Sequence, residues 1–241
     1  MFPILNIGPL AIQAPGLIII LGIWLGLTVI EKFAKRVPIS VNDLSNIVFY
    51  FLSSWIITGR LAYILQKPNA FIQSPISILS PNTGLFDPFS AFVFSSLIIV
   101  VVIHHKKLPI LAVLDGLTPG FATFMIFYFF AQFASGDLYG IPANVPWKIF
   151  LWGTFRHPLS LYYILISIPI NLFLWFKPQK TTPHGFDFLF WVSYTSFCIV
   201  FLEFFRGDTN AIINGIHIPQ IIAWIIFLFS IIKLNQMRRA I

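Results

Sequence analysis

Apolar residues run along this chain in blocks too long to line one face of a soluble core. The blocks Pro9–Ile30, Leu44–Leu65, Phe86–His104, Ile110–Ala134, Leu159–Phe176, Phe186–Phe205 and Ile216–Leu234 each come close to, or exceed, the roughly 20 residues that cross the hydrocarbon of a bilayer. Backbone in lipid must satisfy its own hydrogen bonds, and these blocks are too long for barrel strands, so each predicts a membrane-spanning helix. The fold class that follows is an all-α integral membrane protein, a seven-transmembrane-helix bundle forming one domain over residues 1–241. The longest connection, near 135–158, holds Gly136, Gly140, Pro142, Pro146 and Trp147, which predicts a short structured outer loop. The first block lacks a basic leader and a small-residue cleavage site, so a retained helix is expected.

Composition agrees with this pattern. Of the 241 residues, 58% are hydrophobic and 10% charged, more apolar surface than a soluble domain covers. A single cysteine, Cys198, excludes an intrachain disulfide and a cysteine metal cluster. Ten of the fifteen Lys and Arg residues fall at alternate block ends, around Lys32–Arg36, Lys106–Lys107, Lys177–Lys180 and Lys233–Arg239. The positive-inside rule assigns that side to the cytoplasm, giving an outer N-terminus and a cytoplasmic C-terminus. The net charge of +7 then reflects topology and anionic lipid heads, and no nucleic-acid partner is expected.

Three of the five other Lys and Arg residues, Arg60, Arg156 and Arg206, bring in the candidate chemistry. Arg60 ends the second span, Arg156 and His157 precede the fifth, Glu203, Arg206 and Asp208 end the sixth, Asp87 opens the third and Asp137 follows the fourth. Each has an ordinary explanation taken singly: Glu203 and Arg206 pair at i, i+3, and an arginine at a helix end snorkels to the headgroups. Their convergence on one side, in a chain so poor in charge, points to a site. A partly desolvated arginine suits bidentate capture of a phosphate, and the phosphate at hand is a lipid headgroup.

Other chemistries find less support. His104 and His105 are adjacent on a helix, about 100° apart, and do not chelate one metal. HExxH, P-loop and Gly-x-Ser-x-Gly patterns are absent, so no metal or cofactor is expected. Pro169 and Pro219 are the only hints of the broken helices of a small transporter.

Several fragments, in order, resemble one family. They are "NIGPLAIQAPGLIIILG" at the start, "GRLAYIL" from Gly59, "DGLTPG" from Asp115, "SGDLYGIP" from Ser135, "RHPLSLYY" from Arg156, "FLEFFRGD" from Phe201, and Ile218-Pro219-Gln220. Together they resemble the prolipoprotein diacylglyceryl transferase family along nearly the whole chain. The resemblance implies transfer of diacylglyceryl from phosphatidylglycerol to the lipobox cysteine of a prolipoprotein signal peptide, in a bacterial plasma (inner) membrane with the active side outward. It implies Arg206 as the phosphate clamp, Glu203 as its orienting partner, Asp137 at the family's glutamate, and Arg156 and His157 at the mouth. Arg60, Gln132 and Asp208 join as substrate-binding candidates.

The chain also departs from the family pattern. Phe129 stands at the place of an arginine, Gln132 at that of an asparagine and Tyr163 at that of a glutamate, and the His-Gly-Gly of the third span is missing. His157 is then a candidate base, as is Asp87 if desolvation raises its pKa. The alternative class is a non-catalytic relative that binds phospholipid or an exported protein on the same scaffold.

Overall fold

Lipid and composition together dictate helices, and the computed structural model has seven long and apolar enough to cross a membrane. It describes residues 2–7, 10–79, 85–178, 182–207, 212–213 and 216–239. A hairpin of β1 (Ile4–Ile7) and β2 (Leu10–Gln13) leads into α1 (Ala14–Phe33). There follow α2 (Val41–Gln66), the short α3 (Pro68–Gln73), α4 (Pro88–His105) and α5 (Ile110–Ser135). The loop after α5 carries the hairpin β3 (Ile149–Leu151) and β4 (Thr154–Arg156), then come α6 (Leu159–Phe176) and α7 (Phe186–Leu202). A small hairpin, β5 (Ile212–Ile213) and β6 (Ile216–His217), opens α8 (Ile218–Arg239).

The helix ends follow from local chemistry. The Ser40 hydroxyl caps α2 by accepting the Asp43 N–H at 3.0 Å, which satisfies one of the orphan donors of the first turn. Gly136, at φ 78°, closes α5 in the left-handed conformation that lets its N–H reach Gln132 O at 3.0 Å. The sixth apolar block is shorter as a helix than its composition suggests. It leaves α-geometry at Leu202 and turns as a 3₁₀ segment, Glu203–Phe205, because Phe204 and Phe205 are apolar but lie in a turn that binds the neighbouring loop.

α5 is the central helix, half of its spanning window being buried against 17% for α2 and α4. Its contact with α1 is made close by glycines: a Cβ on Gly26 would lie 3.2 Å from Gly120 O. Small residues at such a crossing give the van der Waals packing on which helix association in lipid depends. Asp115 adds a polar tie, its carboxylate accepting the N–H groups of Gly185 (2.6 Å) and Phe188 (2.9 Å) at the start of α7.

The two ends of the bundle differ. At the basic end Arg36 donates to the Leu174 and Trp175 carbonyls at 2.6 and 3.1 Å, capping α6, Lys177 pairs with Asp187, and Lys106 pairs with Asp43 at 2.6 Å. That bond holds the Lys106 ammonium above its usual pKa. The opposite end gathers the C-termini of α2, α5 and α7, the hairpins, and the candidate site.

Candidate active site

Backbone pairing assembles the site first. The stretch Tyr139–Pro142 runs as a strap between the end of α7 and the start of α6. Ile141 N–H donates to Phe205 O at 2.8 Å and Gly207 N–H to Tyr139 O at 2.9 Å, while Gly140 N–H donates to His157 O and His157 N–H to Ile141 O, both at 3.1 Å. Gly140 thus pairs with Arg206, and Pro142 with Arg156. Only glycine fits at the centre, since a Cβ there would meet His157 Cβ at 2.6 Å and His157 O at 2.7 Å. Hydroxyl and indole groups fix the rest of the loop: Ser160 Oγ donates to Leu138 O at 2.6 Å and Trp152 Nε1 to Gly136 O at 3.0 Å.

On this scaffold Glu203 is the hub. It is 3% exposed, and its Oε1 accepts from Arg206 Nη1 at 3.0 Å and from the Tyr163 hydroxyl at 3.2 Å. Its Oε2 lies 3.4 Å from His217 Nδ1. A buried carboxylate is tolerated when paired and hydrogen-bonded in this way. The 3₁₀ turn puts Glu203 and Arg206 on one edge, as i, i+3 side chains eclipse at three residues per turn. His217 is itself fixed by Gln220, whose Oε1 accepts the His217 N–H at 3.0 Å and whose Nε2 donates to Val200 O at 3.1 Å.

Tyr163 has a second neighbour. Its ring stacks on Phe129 of α5 with centroids 4.6 Å apart and planes at 18°. Two positions at which the sequence departs from the resemblance, an arginine replaced by Phe129 and a glutamate by Tyr163, therefore touch. An aromatic stack stands there, beside the carboxylate of Glu203.

The remaining sequence-predicted residues spread around this centre. Arg156 sits at the strap, its Nη1 donating to Gly140 O at 3.3 Å and its guanidinium lying 4.9 Å from the Tyr139 ring. His157 Nδ1 lies 2.9 Å from the Tyr162 hydroxyl, which also accepts from Trp147 Nε1 at 2.6 Å. Its ring packs edge-on against Phe205. Asp137 is exposed just past α5, its N–H donating to Ser135 Oγ at 3.3 Å. Gln132 points along α5, donating to the Tyr128 hydroxyl at 2.8 Å.

Arg60 stands apart from Glu203, its guanidinium donating to Ile78 O, Leu85 O and Ser77 O at 3.1, 2.7 and 2.8 Å. It holds the segment after α3 against α2. Asp208 lies outside the described residues. Asp87 does not meet the condition for a base. Hydrogen bonds from Ser90 and Gln66 hold its carboxyl below the usual carboxylate range, and it caps α4 through Phe89 N–H at 3.2 Å.

Sequence reasoning missed His217 and the role of Tyr162. A signal for His217 existed: it is one of five histidines, opens the last apolar block, and precedes Gln220 by one helical turn. Among the described residues no three His, Cys, Asp or Glu side chains gather as a metal site.

Chemically, the arrangement offers a cation held by a buried carboxylate, with an imidazole on the carboxylate's other oxygen. Comparison with known proteins identifies the family. The family described as prolipoprotein diacylglyceryl transferase matches residues 3–235. A phosphatidylglycerol--prolipoprotein diacylglyceryl transferase of Bordetella parapertussis is 27% identical over 86% of this chain and 82% of its own length. Proteins of the same name from Finegoldia magna and Clostridium botulinum are 26% identical over 90% of this chain and 88% of theirs, and 24% identical over 95% and 97%. With the match running from the first hairpin to the last helix, the chain belongs to the prolipoprotein diacylglyceryl transferase family.

Proposed function

We propose that this protein transfers the diacylglyceryl group of phosphatidylglycerol to the lipobox cysteine of a prolipoprotein signal peptide, at the outer face of a bacterial inner membrane. The observation that carries this reading is the Arg206–Glu203 pair at 3.0 Å, a guanidinium held in place by a buried carboxylate at the end of the bundle opposite the basic anchors. The cysteine sulfur forms a bond to the terminal glycerol carbon of the diacylglyceryl group. The bond from that carbon to the phosphate oxygen breaks, and glycerol phosphate leaves with the electron pair.

Negative charge grows on the phosphate as that bond breaks, and Arg206 neutralises it. Preorganised stabilisation of this kind is worth about 10²–10³ in rate. Glu203 sets the guanidinium orientation without a reorganisation cost at the moment of reaction. Arg156 and His157 shape the mouth on the strap, Asp137 and Gln132 border it, and Asp208 follows Arg206 in sequence. Arg60 serves by holding the segment of residues 75–79 against α2.

The basic anchors at the far end support the outward orientation by the positive-inside rule. The Phe129–Tyr163 stack favours the second reading, a phospholipid-binding relative without turnover, because that contact has no charge to offer a substrate. One experiment separates the two. Purified protein in phosphatidylglycerol vesicles is given a lipobox peptide, and the peptide mass is followed. Gain of a diacylglyceryl group, falling at least about a hundredfold in Arg206→Ala, supports transfer. Absence of any gain, under conditions where the Bordetella relative modifies the same peptide, overturns it in favour of the binding protein.

A further inference from the structure

Glu203 has two oxygens with different partners. Oε1 takes Arg206 and Tyr163, while Oε2 lies 3.4 Å from His217 Nδ1. A carboxylate only accepts, so this contact puts the imidazole proton on Nδ1 and leaves the lone pair on Nε2. Gln220 Oε1 also accepts the His217 backbone N–H at 3.0 Å, which fixes the main chain from which the imidazole projects. A carboxylate that fixes the tautomer of an imidazole, and stabilises the imidazolium when it forms, is the arrangement that makes histidine a general base. The same carboxylate holds the arginine. One buried anion therefore positions both a proton acceptor and an anion clamp.

We infer that His217 is the general base that activates the acceptor thiol, an inference that rests on the transferase reading above. The cysteine S–H proton passes to His217 Nε2, giving an imidazolium stabilised by Glu203. The thiolate, which is the nucleophile, attacks the glycerol carbon, the carbon–oxygen bond breaks, and glycerol phosphate leaves as an anion against Arg206. The imidazolium then returns its proton to water. His157 is less suited to this role, because its Nδ1 is engaged with the Tyr162 hydroxyl and no carboxylate among the described residues holds its ring. Asp87 is excluded because its carboxyl is kept ionised and bound to Ser90 and Gln66.

The test measures transfer to a lipobox peptide in phosphatidylglycerol vesicles for the protein, His217→Asn and His217→Ala, with and without added imidazole. His217→Asn keeps a donor toward Glu203, so melting in detergent is expected to match the parent. The expected result is a kcat lower by about 10²–10⁴, the usual span for a lost general base, with KM for phosphatidylglycerol unchanged. In His217→Ala, imidazole is expected to restore at least a tenth of the lost rate.

A His217→Asn rate within about threefold of the parent overturns the assignment, as does a loss confined to KM. So does a folded His217→Ala that imidazole fails to restore. Where His217→Ala does not fold, the His217→Asn rate decides alone. A parent protein that transfers nothing overturns the transferase reading itself, and this inference with it, and is told apart because no variant is then needed.

Discussion

The contact between Phe129 and Tyr163 allows a double substitution whose outcome is set by charge. Tyr163 is 5% exposed and its hydroxyl donates to Glu203 Oε1 at 3.2 Å. In Tyr163→Glu the donor becomes a second buried carboxylate next to the first. Two unit charges about 4 Å apart repel by about 4 kcal/mol at an effective dielectric of about 20, and the lost stack with Phe129 adds about 0.5–1.5 kcal/mol.

The single variant is therefore expected to lose about 4.5–5.5 kcal/mol, or to protonate one carboxyl at a similar cost. Adding Phe129→Arg supplies a cation at a position whose ring now lies 4.6 Å from that of Tyr163. It should return most of the repulsion, a coupling of about 2–3 kcal/mol, at the upper end of measured coupling for contacting residues. The assay is melting of the four proteins of the cycle in detergent, with near-ultraviolet circular dichroism as the readout. Tyr163→Glu should melt lowest, with the double variant between it and the parent. Equal melting of Tyr163→Glu with and without arginine at 129 would refute the reasoning, since it would show that the two side chains do not share an environment. The double variant also carries the residue types that the resemblance implies at both positions, and its transfer rate is expected to exceed that of the parent.

Other expectations are simpler. Gly140→Ala should lower the melting temperature and abolish transfer, because a methyl group at the strap centre pushes into the His157 carbonyl at 2.7 Å; retained activity would mean that the strap yields. Because Asp87 has a depressed pKa when folded, its hydrogen bonds stabilise the protein above the unfolded value near 3.9 and are lost as pH falls through the lower folded value. The melting gap between the parent and Asp87→Asn is thus expected to be constant near neutrality and to close below about pH 4, measured by melting across that range.

Much of the fold was legible because crossing a bilayer demands about 20 apolar residues, and nothing else in a chain this poor in charge produces such runs. The ends were less legible. The block ending at Phe205 hides the turn at Glu203, since apolar side chains serve a helix and a membrane-side turn equally. The first block likewise hides the hairpin before Ala14. Glu203 and Arg206 stood out because charges are rare here. Asp87 was misjudged as a possible base, although Asp-Pro-Phe-Ser is a helix-capping pattern in which the serine three residues on binds the carboxylate. The Phe129–Tyr163 stack and the Glu203–His217 contact join residues from different spans, 34 and 14 positions apart in sequence, and side-chain pattern along one chain does not reveal such meetings.

The strap also sets when the protein can begin to work. Its parts are made at different times during synthesis: Gly140 and His157 emerge before α6, Arg206 only after α7, and His217 at the threshold of α8. Chains are elongated at about 5–20 residues per second, so the first five spans can be seated in the bilayer seconds before the turn bearing Arg206 exists. Until that turn arrives, Gly140 has no partner strand on its α7 side, and the carboxylate that organises the cluster is still unmade. A ribosome stalled after α6 would leave an inserted intermediate that lacks Glu203, Arg206 and His217. Translation of the last quarter of the chain is the step that completes the charged cluster at this end of the bundle.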